Sequence, residues 1–131
     1  MKVLIVDDAI MVHMVLERIL SSAGHEVVGA VTTGKAALAC IEDAHPDIVI
    51  LDINLPEKTD GYSVLKSMKQ QYPAVRVIIY SAVCVKEKIK YALELGADSY
   101  LNKPVKPEVL LKALEQFDST LAQSSTAVAS E

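Results

Sequence analysis

Two apolar stretches of this chain end in aspartate. Lys2-Val3-Leu4-Ile5-Val6 runs into Asp7-Asp8, and Asp47-Ile48-Val49-Ile50-Leu51 runs into Asp52. A carboxylate beside a core is costly unless something pairs with it or coordinates it. Two runs ending this way imply one acidic pocket at one edge of a sheet. Such a pocket can hold a hard divalent cation and can present a carboxylate as a nucleophile. Ser81 and Lys103 follow two further strand candidates and bring a hydroxyl and an ammonium. Crowded carboxylates need a counter-charge. Mg²⁺ would supply it, keeping several waters and leaving room for a phosphate oxygen. Lys103 offers a point positive charge to a phosphoryl group, and Ser81 a hydrogen bond. The set suits phosphoryl transfer to a carboxylate, where catalysis is mostly positioning and charge neutralisation.

The elements that position these residues alternate with a period of about 25 residues, as strand-helix units do. The spacing predicts strands over 2–6, 26–30, 47–51, 75–80 and 98–101. Three of them are near-continuous Val- and Ile-rich runs, as expected of parallel strands covered on both faces. Between them the apolar spacing predicts helices over 10–23 (Val12, Val15, Leu16, Ile19, Leu20, Ala23), 34–43 (Ala37, Leu38, Ile41) and 62–71 (Val64, Leu65, Met68). Two more are predicted over 86–95 (Ile89, Ala92, Leu93, Leu95) and 107–117 (Val109, Leu110, Leu111, Leu114, Phe117). Gly24 and Gly96 are the predicted helix stops, and Pro107 stands in a first turn. Strict alternation means a doubly wound α/β fold with right-handed crossovers. Ligands of such sheets bind beyond the carboxyl ends of the strands. Asp7, Asp8, Asp52, Ser81-Ala82 and Asn102-Lys103-Pro104 all fall there.

Composition sets the outer bounds. The 131 residues are one domain's worth and long enough to bury a core. A hydrophobic fraction of 51% excludes a disordered chain. Thirteen Lys and Arg against 17 Asp and Glu give a formal charge of −4, with no basic excess for direct nucleic-acid binding. No apolar run is long enough to span a bilayer, and Asp7-Asp8 cut the first one too short for a signal peptide. A cytoplasmic protein with no membrane contact is expected, with Cys40 and Cys84 as reduced thiols. His13, His25 and His45 have no metal-ligand spacing with one another. Residues 118–131 lose periodicity and turn to Ser, Thr, Ala and Gln. The expected organisation is a domain over 1–119 and a disordered tail or linker start over 120–131.

With these residues in place, the chain resembles the receiver domain of two-component response regulators, in the manner of the single-domain chemotaxis regulators. The resemblance rests on Asp7-Asp8, on Asp52-Ile53-Asn54-Leu55-Pro56 with Asp60-Gly61, and on Ser81-Ala82. Gly96-Ala97-Asp98-Ser99-Tyr100-Leu101 and Lys103-Pro104 complete it. It spans about residues 2–117. It implies a flavodoxin-like, five-stranded parallel sheet of order 2-1-3-4-5 with five helices. It also implies that Asp52 is the phosphoacceptor. Mg²⁺ (or Mn²⁺) would be held directly by Asp8, Asp52 and the backbone carbonyl of Asn54, and through water by Asp7. Lys103, before a cis Lys-Pro bond, and Ala82 would contact the phosphate. Ser81 would bond the phosphate after transfer and draw its loop inward, and Tyr100 would be the aromatic switch that follows.

Three features depart from the family pattern. The loop from Asp52 to Gly61 is one residue longer than usual, within Glu57-Lys58-Thr59; loops absorb this cheaply, so only the rim's shape changes. Ile10, Met11 and Met14 are apolar where polar or basic residues are common, and His13 stands where arginine is frequent. Ile10 and Met14, at i and i+4, fall off the core stripe and form a candidate docking face for a histidine phosphotransfer helix or kinase. Val83, two past Ser81, is apolar and would limit water access to an acyl phosphate, which predicts slow self-hydrolysis.

The expected function is a phosphorylation-activated switch in a phosphorelay. The donor is a histidine kinase or phosphotransfer protein. The fourth helix, fifth strand and fifth helix would meet a protein target, with the chain a monomer or a phosphorylation-dependent dimer. One alternative is a receiver cut from a longer regulator with a DNA-binding or enzymatic output domain. Another is an aspartate-nucleophile phosphatase. Such phosphatases want a second acid two residues past the nucleophile, and Asn54 stands there. That favours a switch that assists its own phosphorylation and dephosphorylation over a turnover enzyme. A flavin carrier is weaker still, with no Trp and little hydroxyl-rich phosphate loop.

Overall fold

The computed structural model describes residues 1–55, 61–82 and 85–117. Pro56, Glu57-Lys58-Thr59, Asp60, Val83, Cys84 and the tail from 118 lie outside the described residues. The chain alternates β1 (Lys2–Val6), α1 (Ile10–Ser22), β2 (Glu26–Val31), α2 (Gly34–Ala44) and β3 (Ile48–Leu51). It continues with α3 (Gly61–Gln71), β4 (Arg76–Ser81), α4 (Lys86–Glu94), β5 (Ser99–Asn102) and α5 (Pro107–Glu115). The five strands form one parallel sheet of order β2-β1-β3-β4-β5, as expected.

The central strands β1, β3 and β4 carry the continuous apolar runs and are buried on both faces; the edge strands β2 and β5 are half-buried. Side chains alternate across the sheet. Leu4, Val6, Val49, Leu51, Val77 and Ile79 pack with α2, α3 and α4 through Ala37, Ile41, Val64, Leu65, Met68 and Ala92. Val3, Ile5, Ile48, Ile50, Ile78 and Tyr80 pack on the other face with Leu16 and Leu20 of α1 and Leu110, Ala113 and Leu114 of α5. The strand ends extend past both layers and are where the acids stand.

Helix ends follow local chemistry. Thr33 caps α2, its Oγ1 accepting from the Ala36 N–H at 3.1 Å. Gly24 and Gly96 take positive φ (89° and 110°) where stops were expected. Gly61 opens α3 hard against the Ile53 backbone, where a Cβ would collide. Its N–H donates to the Ile53 carbonyl at 3.0 Å, fixing the start of α3 against the chain that follows Asp52.

Three large apolar residues of the expected stripes face solvent instead: Val15 is 52% exposed, Leu93 47% and Val109 45%. Each is a neighbour of the residue that points inward, about 100° round the helix from it. α1 buries His13, Leu16 and Leu20, α4 buries Ala92, and α5 buries Leu110, Ala113 and Leu114. The fourth and fifth strands begin and end one residue later than predicted, so Ser81 and Asn102 are paired strand residues.

Candidate active site

The carboxyl ends of β1, β3, β4 and β5 bring Asp7, Asp8, Asp52, Ser81 and Lys103 to one edge. β1 and β3 are direct neighbours, and the Asp52 N–H donates to the Val6 carbonyl at 2.8 Å. That bond sets Asp52 beside Asp7. Both are buried, whereas Asp8 is exposed. Carboxylate oxygens of Asp7, Asp8 and Asp52 all lie within 4.8 Å of one another. An all-oxygen, triply acidic donor set of this size fits a hard divalent cation such as Mg²⁺ or Mn²⁺.

Each buried carboxylate is held on one oxygen by its own turn. Asp7 Oδ1 accepts from the Ala9 N–H at 2.9 Å, and Asp52 Oδ1 from the Asn54 N–H at 3.0 Å. The other oxygens share one cation. Lys103 Nζ lies 2.7 Å from Asp7 Oδ2 and 3.3 Å from Asp52 Oδ2. The lysine backbone is fixed as well, its N–H donating to the Ser81 carbonyl at 2.8 Å. The Lys103-Pro104 bond is cis.

Burial pushes the Asp52 carboxyl above its ordinary pKa, against the Asn54 N–H and the Lys103 charge, with the Asp7 charge adding to the rise. Burial pulls the Lys103 ammonium the other way, but its hydrogen bond to Asp7 and the two carboxylate charges outweigh this, and its pKa is raised. The buried carboxylate and its ammonium are thus both biased toward holding a proton. A carboxylate whose charge is disfavoured in this way gains from any cation that enters the cluster.

Ser81 is fully buried at the end of β4, and Ala82 beside it is exposed. Tyr100 is half-buried, paired in register with Ile79, and packs against the core on the α2–α4 side. Asn54 is exposed. On α1, Ile10 and Met14 are 60% and 63% exposed, and Met11 and Val15 extend their apolar surface. A cavity of about 400 Å³ runs from this face to the site, lined by Met11, Val15, Tyr80, Ala82, Lys103 and Pro104.

Two residues near the site were given no role by residue type and spacing. His13 is buried, with Nε2 2.6 Å from the Asp7 carbonyl oxygen. A carbonyl only accepts, so Nε2 carries the proton and donates. Its spacing of three and seven from Leu16 and Leu20 was the available signal that it faces inward. Tyr80 lies under Lys103, with Nζ 5.4 Å from the ring centroid. The signal there was an aromatic residue ending an aliphatic strand.

The chain is similar to known proteins in sequence and in fold. The model of the response regulator receiver domain matches residues 3–115. The chemotaxis protein CheY of Thermotoga maritima is 35% identical over 88% of this chain and 95% of its own length. The protein-glutamate methylesterase/protein-glutamine glutaminase of Trichodesmium erythraeum is 40% identical over 92% of this chain, which spans only 35% of that protein. Among solved structures, CheX-CheY-BeF3-Mg²⁺ from Borrelia burgdorferi superimposes with a TM-score of 0.83 at 30% identity, covering 88% of this chain and 87% of that one. No helix among the described residues is long and apolar enough to cross a membrane. The chain belongs to the response regulator receiver domain family of two-component signalling.

Proposed function

We propose that this receiver is a cytoplasmic switch that takes a phosphoryl group from a phosphohistidine onto Asp52. One observation carries the reading. The buried Asp52 shares the Lys103 ammonium with Asp7 inside a cluster of three carboxylates. Asp7, Asp8, Asp52 and the Asn54 carbonyl would hold Mg²⁺ or Mn²⁺. When bound, the cation supplies positive charge against the phosphoryl oxygens. The chain's own residues do the rest. An Asp52 carboxylate oxygen forms the bond to phosphorus as the bond to the donor nitrogen breaks, and that nitrogen keeps the electron pair. Lys103 moves from the carboxylates to a phosphoryl oxygen, and Ala82 lines the same side. Ser81 bonds another oxygen, and Tyr100 turns inward after it.

Asn54, two residues past the nucleophile, offers no acid or base to drive hydrolysis, so the state is stored and not turned over. The apolar face around Ile10 and Met14 would seat the donor's helix. The fourth helix, fifth strand and fifth helix would meet the target, as a monomer or a phosphorylation-dependent dimer. The domain would occupy residues 1–119. Labelling of Asp52 by acetyl phosphate, absent in Asp52→Asn, tests the reading.

A second reading has one observation in its favour. The chain spans 35% of the methylesterase relative and 53% of a Cyanophora paradoxa relative named as a probable transcriptional regulator. A receiver with this site could act inside a longer regulator. The mass of the protein isolated from its source separates the two.

A further inference from the structure

Tyr80 is the last-but-one residue of β4 and follows Val77-Ile78-Ile79. It is buried, on the α1/α5 face of the sheet. An aliphatic residue would fill that place in the core. Tyrosine does two things there that no aliphatic residue can. Its ring lies beneath the Lys103 ammonium, 5.4 Å from Nζ to the centroid. Its hydroxyl accepts the Val105 N–H at 3.2 Å. Together with the Lys103 N–H bond to the Ser81 carbonyl at 2.8 Å, this ties residues 103 and 105 to the adjacent pair 80 and 81.

We propose that Tyr80 is a positioning residue that holds the Lys103 ammonium over the phosphoacceptor; the proposal rests on the reading of Asp52 above. Lysine is a point charge on a flexible four-carbon stem, with no geometry of its own. In the resting site its ammonium is held by Asp7 and Asp52. On phosphorylation it must give up those oxygens for a phosphoryl oxygen. The tyrosine ring face attracts the cation in either state, because its quadrupole does not depend on which oxygen the ammonium bonds. The hydroxyl restrains the backbone two residues on, so the stem starts from a fixed point. Tyr80 touches no reacting atom itself. It narrows where Lys103 can be.

The test uses the intact protein with lysine labelled by ¹³C at the ε carbon, and Lys103→Arg to identify the Lys103 resonance. Protons above a ring face are shifted upfield, so Lys103 should stand apart from the surface lysines in the wild type. In Tyr80→Leu it should move back among them, and Mg²⁺-dependent beryllofluoride binding should weaken about ten-fold. Tyr80→Phe keeps the ring, so it should keep the shift and bind within about three-fold of wild type. An unshifted wild-type resonance overturns the proposal without any variant. So does a folded Tyr80→Leu that binds within about two-fold of wild type. Failure of the wild type to bind beryllofluoride would instead remove the phosphoacceptor reading, and the resonance would still decide the Tyr80 contact.

Discussion

Lys103 Nζ is bonded more closely to Asp7 than to Asp52, at 2.7 Å against 3.3 Å. Lys103 therefore rests chiefly on one carboxylate of the acidic cluster. It stands in for part of the positive charge that a divalent ion would bring, and it would compete with such an ion for the same oxygens.

Removing the ammonium should split the two binding functions. Lys103→Met frees Asp7 Oδ2 and Asp52 Oδ2, so Mg²⁺ measured by calorimetry should bind about ten-fold more tightly. Beryllofluoride, which needs the ammonium, should bind at least about ten-fold more weakly. Weakening of both together would contradict the competition.

The raised pKa of Asp52 makes a prediction about stability. Its first cause is burial, so the folded state holds the Asp52 proton more tightly than the unfolded chain does. Above the folded pKa the ionised Asp52 therefore destabilises the fold. That penalty is relieved as pH falls through the raised value toward the ordinary carboxylate range. Without divalent cations, Asp52→Asn should raise the Tm at pH 7 by about 3 °C. The gain should shrink as scans are taken toward pH 4. Added Mg²⁺ should favour the wild type, because only it retains all three carboxylates. A variant less stable than wild type at pH 7 in the absence of metal would refute this.

Much of the site was legible because it lies at strand ends. Apolar runs that stop at Asp7 and Asp52 mark where burial ends, and parallel topology then requires those ends to share an edge. Lys103 and Ser81 were placed by the same logic, although their strands run one residue later than the pattern implied. Tyr80 and His13 were not legible as parts of the site. Each acts partly through main chain, the Val105 N–H and the Asp7 carbonyl, which residue types do not display. Val15 was misplaced because counting apolar residues along α1 does not separate a core stripe from an adjoining exposed one. The residues from Ile10 to Leu20 are apolar on both.

The outer stripe leads to a prediction about partners. Ile10→Lys with Met14→Lys places charge on the exposed face and leaves the buried line of α1 untouched. Phosphotransfer from a protein donor should slow by about ten-fold or more, as for a lost apolar anchor. Transfer from acetyl phosphate should not change. Equal slowing with both donors would remove the docking role.

The proposed switch can be followed with one reporter. The chain has no Trp, so Tyr100→Trp creates a single tryptophan on β5 that can be excited selectively. Beryllofluoride with Mg²⁺ should move its emission toward shorter wavelength as the ring turns inward, and adding Ser81→Ala should abolish the change. A spectral shift that survives Ser81→Ala would show that the two residues are not linked.

The proposed switch requires that Asp52 is the residue that changes covalently. The direct measurement is intact-protein mass spectrometry after incubation with Mg²⁺ and acetyl phosphate, with peptide mapping of the modified site. The wild type should gain one phosphoryl group on Asp52 and none when the metal is chelated before the donor is added, and Asp52→Asn should gain none. A wild type that takes no phosphoryl group, or an Asp52→Asn protein labelled to the same extent, would contradict the account.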